Sequence, residues 1–244
     1  RRALHCSGTF PWQFNEPYPN LYCTSSLDYF GNPKPAYYGV KKAYAPYLVN
    51  ASFEGASLQG KEWLEADIYG ATNLPAQKEN RTYTVLARIY ALSGEILQEE
   101  AFPLEKLQIR ASHAGKIRFS LKNTEEELLL LRLALKEEGT EEILAENEYL
   151  FTTGRDLGAV FRMETPELTA EGQEEGFVLK NSGRSAALFV FLTKEKGTPV
   201  YWKDNYFTLL PGEVKKLTGE GDWKASFVQA LNMEYQKLEV TQCR

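Results

Sequence analysis

Glu16 is the first residue in the chain whose type and setting could support chemistry. It follows Asn15 at the end of Thr9 to Asn15 (TFPWQFN), which reads as a short buried strand running into polar turn residues. A carboxyl group placed there could give or take a proton in catalysis, with the neighbouring amide orienting a bound hydroxyl. Paired acid/base work needs a second carboxylate, and the next one, Asp28, falls in a loop broken by Pro17, Pro19, Gly31 and Pro33. The other reading of Glu16 is an ion pair or a loop brace. Trp12 either offers an aromatic face to a ligand or packs as a core aromatic.

Other chemistries find little support. His5 and His113 are far apart, with no Cys or carboxylate at ligand spacing, so no metal is expected. No Ser/His/Asp arrangement and no Gly-rich phosphate loop is present, and no cofactor is implied. Tyr201, Trp202, Tyr206 and Phe207 make either a ring-stacking platform or alternating core aromatics. Glu125-Glu126-Glu127 and Lys194-Glu195-Lys196 read as solvated turns.

The elements that must position these residues fall into three segments. Residues 1–47 hold the Trp12 strand, a long loop from Glu16 to Lys34, and a helix opened by Pro35 and closed by Pro46. Its apolar face is expected to be Ala36, Val40, Ala43, Tyr44 and Tyr47. One strand, one loop and one helix cannot enclose a core, so this segment needs a partner. It should dock on the first of the domains that follow, or on a neighbouring copy, because left free it would expose an apolar patch.

Residues 48–151 alternate as short strands: Trp63 to Tyr69, Tyr83 to Leu92, Ile96 to Phe102, Leu107 to Ala111, Lys116 to Leu121, Leu128 to Leu135 and Ile143 to Phe151. Ser93-Gly94 and Glu138-Gly139 supply hairpin turns. Leu128 to Leu135 fits a buried helix on periodicity alone, but its strand neighbours assign it to a sheet. Residues 152–158 (TTGRDLG) are a linker. Residues 159–244 carry a second strand series: Glu167 to Ala170, Gly176 to Lys180, Ala186 to Thr193, Val200 to Trp202, Asn205 to Leu210, Glu213 to Leu217 and Ala225 to Asn232. The expected fold is mainly β: two immunoglobulin-like antiparallel sandwiches preceded by a strand-loop-helix.

Composition narrows the partners. A net charge of -5 and a pI near 5.3 argue against nucleic acid, whose phosphates repel an acidic surface. The apolar run from Leu128 is far too short to span a bilayer, so no membrane partner is expected. Cys6, Cys23 and Cys243 show no disulfide spacing, which favours a reducing, cytoplasmic compartment. Two glycosylation sequons, at Asn50 and Asn80, are short enough to arise by chance. The opening Arg1-Arg2-Ala3 suggests a chain cut from a longer one.

Three stretches carry a resemblance. They are Trp12-Gln13-Phe14-Asn15-Glu16-Pro17-Tyr18-Pro19, then Ser26-Leu27-Asp28-Tyr29-Phe30-Gly31-Asn32-Pro33-Lys34-Pro35, then Lys41-Lys42-Ala43-Tyr44-Ala45-Pro46. In order and spacing they resemble the last strand and helix of the (β/α)8 barrel in glycoside hydrolase family 2, especially its β-mannosidase branch. Asn147-Glu148-Tyr149 is similar to the Asn-x-Tyr that closes the penultimate domain of those enzymes. Asn181-Ser182-Gly183, Asp204-Asn205-Tyr206-Phe207 and Leu209-Leu210-Pro211-Gly212-Glu213 resemble their last immunoglobulin-like domain. Tyr18 departs from the pattern, standing where β-mannosidases carry Trp.

The resemblance implies a C-terminal accessory region of an exo-acting retaining hydrolase of terminal β-linked sugars. Its partners would be a β-linked oligosaccharide or glycoside and the missing catalytic barrel, with a homo-oligomer as a further expectation. Family 2 takes its acid/base from strand four and its nucleophile from strand seven, so both would lie upstream of Arg1 and this region alone would be inactive. Retaining hydrolysis also sets its two carboxyl groups about 5–5.5 Å apart, a mate that Glu16 lacks on any strand here. Trp12, Asn15 and Glu16 are then the substrate-binding candidates, the aromatic stacking on the sugar and the polar pair meeting its hydroxyls. An independent carbohydrate-binding module and a purely structural sandwich are the alternatives.

Overall fold

The computed structural model describes residues 8–20, 24–74, 81–122, 124–194, 200–223, 226–238 and 240–241. His5, Cys6, Cys23, Asn80, Glu195, Lys196 and Cys243 lie outside the described residues, and so do the readings that rest on them. The chain forms two compact units, Arg1–Thr9 with Ala43–Ala159, and Phe10–Lys42 with Val160–Arg244.

The first unit is a sandwich of seven described strands. They are β1 (Tyr47–Ser52), β2 (Trp63–Thr72), β3 (Tyr83–Ala91), β4 (Ile96–Leu104), β5 (Ser112–Ser120), β6 (Leu128–Glu137) and β7 (Ile143–Thr152). One sheet runs β1-β2-β5 and the other β4-β3-β6-β7, all antiparallel. Period-two alternation explains the core: Leu64, Ala66 and Ile68 from β2 meet Val85, Ala87 and Ile89 from β3 and Leu129, Leu131, Leu133 and Leu135 from β6. Burying each Leu is worth about 1.5–3 kcal/mol, so this cluster holds the sheets together. The outward residues of β2 pair across to β5, where Glu65 faces Arg118 and Asp67 faces Lys116.

The ambiguous leucine run is a strand. Its one charge, Arg132, sits opposite Glu148 of β7 and bonds it at 3.2 Å. One strand expectation fails in this unit, and one strand was not expected. Leu107 to Ala111 is a loop; Leu107 still plugs the core, and Gln108 O accepts from Thr72 N, so the burial is real but the ladder is not. Strand β1 went unforeseen because its alternation is shallow, with only Val49 buried. Its outer edge is met by side chains: Asn147 Nδ2 donates to Val49 O at 3.2 Å, and Ala51 N donates to Tyr149 Oη at 2.9 Å. The Asn-x-Tyr of β7 is therefore a latch that ties an edge strand of one sheet to the other sheet.

The second unit holds β8 (Leu168–Gln173), β9 (Gly176–Asn181), β10 (Ala187–Lys194), β11 (Tyr201–Trp202), β12 (Phe207–Leu209), β13 (Val214–Glu220), β14 (Ser226–Ala230), β15 (Met233–Lys237) and β16 (Val240–Thr241). Its sheets run β11-β13-β9-β8-β16 and β12-β10-β14-β15, with β16 parallel to β8. Strands β15 and β16 escaped the sequence reading. Only Met233 of β15 is buried, so it carries no alternation, and β16 is two residues long.

Strand β10 is irregular, with a register shift between Ala187 and Val190 and Phe189 at φ 53°. Two buried asparagines answer for its backbone, and a third, Asn181, ties the residues before it to β12. Asn205 accepts from Leu192 N (2.8 Å) and donates to Leu192 O (3.1 Å). Asn232 accepts from Leu188 N and donates to Ala186 O. Asn181 donates to Ser185 O and Leu209 O. Asn205 and Asn232 replace ladder bonds that a bulged strand cannot make.

Helix α1 (Pro35–Ala43) was expected on the first sandwich or on a neighbouring copy, but it sits with the second sandwich through a different face. Tyr38, not Ala36 or Val40, is its buried residue. Its hydroxyl donates to Trp202 O at 3.2 Å and its ring lies 5.5 Å from that of Tyr206. Tyr206 in turn donates to Pro33 O at 3.4 Å, and the Lys41 amine reaches Lys203 O. A tyrosine supplies both ring area and a hydroxyl for a backbone acceptor, which small alanines cannot match.

Candidate functional site

Residues 10–20 and 24–34 form the irregular segment that carries Trp12, Asn15 and Glu16. Thr9 to Asn15 is not a strand: Gln13 O and Phe14 O accept from Ser26 N (3.0 Å) and Leu27 N (2.9 Å). A ladder needs a longer neighbour on at least one side, and the bond from Lys34 N to Ser26 O only closes the loop on itself. The Trp12–Gln13 peptide is cis.

Glu16 is 4% exposed, and its carboxylate is fully engaged. Oε1 takes the Lys34 amine and accepts from Ser25 Oγ at 2.9 Å; Oε2 accepts from Tyr29 N at 3.3 Å. The Lys34 hydrogen bond holds the Glu16 carboxyl below its ordinary value of 4.5, outweighing the burial that would raise it. A glycosidase acid needs the opposite shift, a raised pKa that keeps its proton at working pH. Here Glu16 is the hub of a loop brace. Asp28 does similar work one turn on, accepting from Asn32 N (2.8 Å) and Asn32 Nδ2 (2.7 Å). Sequence reading missed Lys34 and Ser25, since partners eighteen and nine residues away leave no local pattern.

A pH prediction follows from this brace. Because the folded carboxyl is depressed, its contribution to stability is complete above about pH 4.5 and fades as the pH falls through the folded value. Glu16→Gln should lower the melting midpoint of the second unit at pH 7. The gap to wild type should narrow as the pH falls below 4.5 and through the folded value, as thermal melts across an acid-to-neutral series would show. A gap that stays constant across that range would contradict the ion-pair account.

Around this brace the aromatics face outward. Trp12 is 82% exposed, and Phe10, Phe14, Tyr18 and Phe30 are exposed with it. Asn15 is exposed beside them, while Glu16 points inward. The segment thus presents an aromatic and amide surface stiffened from behind by a buried ion pair. Such a surface could stack on a ring and bond its hydroxyls, but it holds no free acid.

The last-domain aromatics are not one platform. Trp202 and Phe207 are core residues, Tyr201 is exposed, and Tyr206 stacks on Phe191 at 5.4 Å. His113 lies on the surface, its Nε2 donating to Asp67 Oδ1 at 3.0 Å. Among the described residues no cluster of His, Cys, Asp and Glu could hold a metal, and no helix is long and apolar enough to cross a membrane.

Comparison with known proteins places this geometry. Residues 163–235 match the Ig_mannosidase family, an Ig-fold domain. An exo-β-D-glucosaminidase of Arthroderma benhamiae is 24% identical over 237 residues, covering 85% of this chain and 25% of that protein. A β-mannosidase B of Aspergillus terreus is 30% identical over 100 residues, covering 39% of this chain and 12% of that protein. The crystal structure of an exo-chitosanase from Amycolatopsis orientalis shares the fold over 94% of this chain and 30% of its own, with a TM-score of 0.67 at 20% identity. The chain thus spans about a quarter of that glucosaminidase. Residues 163–235 are thus similar to the Ig-fold domain of mannosidases, and the chain as a whole is similar to the C-terminal region of glycoside hydrolase family 2 enzymes.

Proposed function

We propose that this chain is the C-terminal accessory region of an exo-acting, β-mannosidase-like glycoside hydrolase that removes terminal β-linked sugars with retention. In that reading the catalytic carboxylates come from the larger remainder of the enzyme, and the two sandwiches brace it. One observation carries the proposal: an aromatic segment that buries none of Phe10, Trp12 or Phe14 while its only buried carboxylate is locked to Lys34. A surface so apolar and so well braced is built to be covered. The catalytic part would seat on it, leaving Trp12 and Asn15 at the rim of the sugar site.

The chain alone should show no turnover of p-nitrophenyl β-D-mannoside or β-D-glucosaminide. Turnover that disappears in Glu16→Gln would overturn the proposal. In the full-length enzyme, Trp12→Ala should lower kcat/KM by roughly five- to tenfold, the loss of a ring contact worth about 1–1.5 kcal/mol. Unchanged kinetics there would remove Trp12 from the substrate site.

A further inference from the structure

Tyr206 in the last sandwich is held so that its phenol has one direction to point. Its backbone sits at φ 60°, a left-handed conformation that a bulky residue keeps only when its surroundings enforce it. The Tyr206 N–H donates to Asn205 Oδ1 at 3.3 Å, and that asparagine is itself clamped on Leu192 of β10. The ring packs against Phe189, Phe191 and Tyr38, with centroids 5.1, 5.4 and 5.5 Å away. At the end of this fixed ring the hydroxyl donates to Pro33 O at 3.4 Å.

Pro33 is where the loop behind the aromatic surface turns back on itself. It has no N–H, so its carbonyl is its polar backbone group. It forms an isolated antiparallel bridge with Leu27, and Lys34 N donates to Ser26 O at 2.9 Å. Ser26 N and Leu27 N donate in turn to Gln13 O (3.0 Å) and Phe14 O (2.9 Å), the backbone between Trp12 and Asn15. Side chains follow the same route, since Lys34 pairs with Glu16. From Tyr206 to Trp12, then, each short stretch of backbone is hydrogen-bonded to the next. A stack this short has little stiffness of its own and takes its position from what anchors its far end. Tyr38 and Lys41 anchor the helix; Tyr206 anchors the loop itself.

We infer that Tyr206 is a positioning residue for Trp12 and Asn15, acting through Pro33 and the short stack that Pro33 closes. Its bearing on the reaction rests on the proposed reading in which Trp12 and Asn15 meet the sugar. It names the residue through which the last sandwich, distant in sequence, sets their place. The two fail separately, because the positioning is measured in the chain alone and the sugar contact by turnover.

The test has two arms. The first is 15N relaxation of the whole 244-residue chain with Tyr206→Phe, which keeps the ring packing and removes only the hydroxyl. Order parameters at the Gln13, Phe14 and Asn15 amides should fall from about 0.85, the rigid-backbone value, to about 0.7, while those of β9 hold. A residue that only added stability would leave the order of the folded chain unmoved. Lys41→Met, which cuts the helix's bond to Lys203 O and spares the loop, should leave the three amides as they are. In the second arm, Tyr206→Phe in the full-length enzyme should lower kcat/KM about two- to fivefold, the weight of one hydrogen bond. In a Trp12→Ala background it should cost nothing further, because residues that act on one contact are not additive. Unmoved loop amides overturn the inference, as does an equal loss of order in Lys41→Met or an additive loss in the double variant. If Trp12→Ala alone leaves kcat/KM unchanged, the sugar contact fails, and the relaxation arm still decides the positioning.

Discussion

Asn205→Ala should melt the second sandwich selectively. The side chain of Asn205 satisfies both the N–H and the C=O of Leu192, and both bonds are buried. Alanine leaves the two groups without partners in a place water cannot reach. At about 1–3 kcal/mol for each unsatisfied buried group, the loss is roughly 2–6 kcal/mol. Hydrogen exchange followed by mass spectrometry checks it directly: protection over residues 187–194 should fall sharply while residues 83–91 keep theirs. A loss below about 1 kcal/mol would mean that β10 rearranges to pair elsewhere, and the asparagine clamp would be incidental.

Gly176→Ala should be more severe. Gly176 opens β9 at φ 149°, and a Cβ there would lie 2.0 Å from Leu217 O and 3.1 Å from the Thr218 Cα. Those atoms belong to β13, whose Thr218 pairs with Gly176 in the sheet. Backbone cannot swing aside as a side chain can, so β9 and β13 must part at that end. The expected cost exceeds about 4 kcal/mol, enough to prevent the second sandwich from forming at all. Gly60 makes the control. It also has positive φ, at 75°, but nothing lies within 4 Å of its would-be Cβ. Gly60→Ala should therefore carry only backbone strain of about 1–2 kcal/mol. Urea melts of both variants compare them. Equal losses would show that conformation, not the contact with Leu217, sets the glycine at 176.

The elements differ in how plainly they could be read, and the reason is physical in each case. Strands β2, β3 and β6 alternate cleanly because each buries one face against the other sheet, and that demand is written residue by residue. The turns at Gly94 and Gly139 were legible because both sit at positive φ, where glycine carries no Cβ penalty. Strand β15 was silent, since an edge exposed on nearly all its length imposes no pattern. Helix α1 was found from Pro35 and Pro46, yet its buried face was misread: the apolar stripe through Ala36 and Val40 ignores the hydroxyl that carries Tyr38 to Trp202 O.

The candidate site divides the same way. Its residue types, Trp12 with Asn15 and Glu16, stood out locally. The state of Glu16 could not. Whether a carboxylate is an acid or a brace depends on what faces it, and Lys34 and Ser25 reach it only when the loop closes.

By itself the sequence determined the strand alternation, most of the turns, the mainly β class and the kinship of residues 163–235, because each depends on neighbours along the chain. Only the tertiary structure decided that Glu16 is paired, that Tyr38 seats the helix on the second sandwich, and that two asparagines stand in for the ladder of β10. Those contacts join residues distant in sequence, and a hydrogen bond or ion pair is set by positions in space that no local pattern encodes.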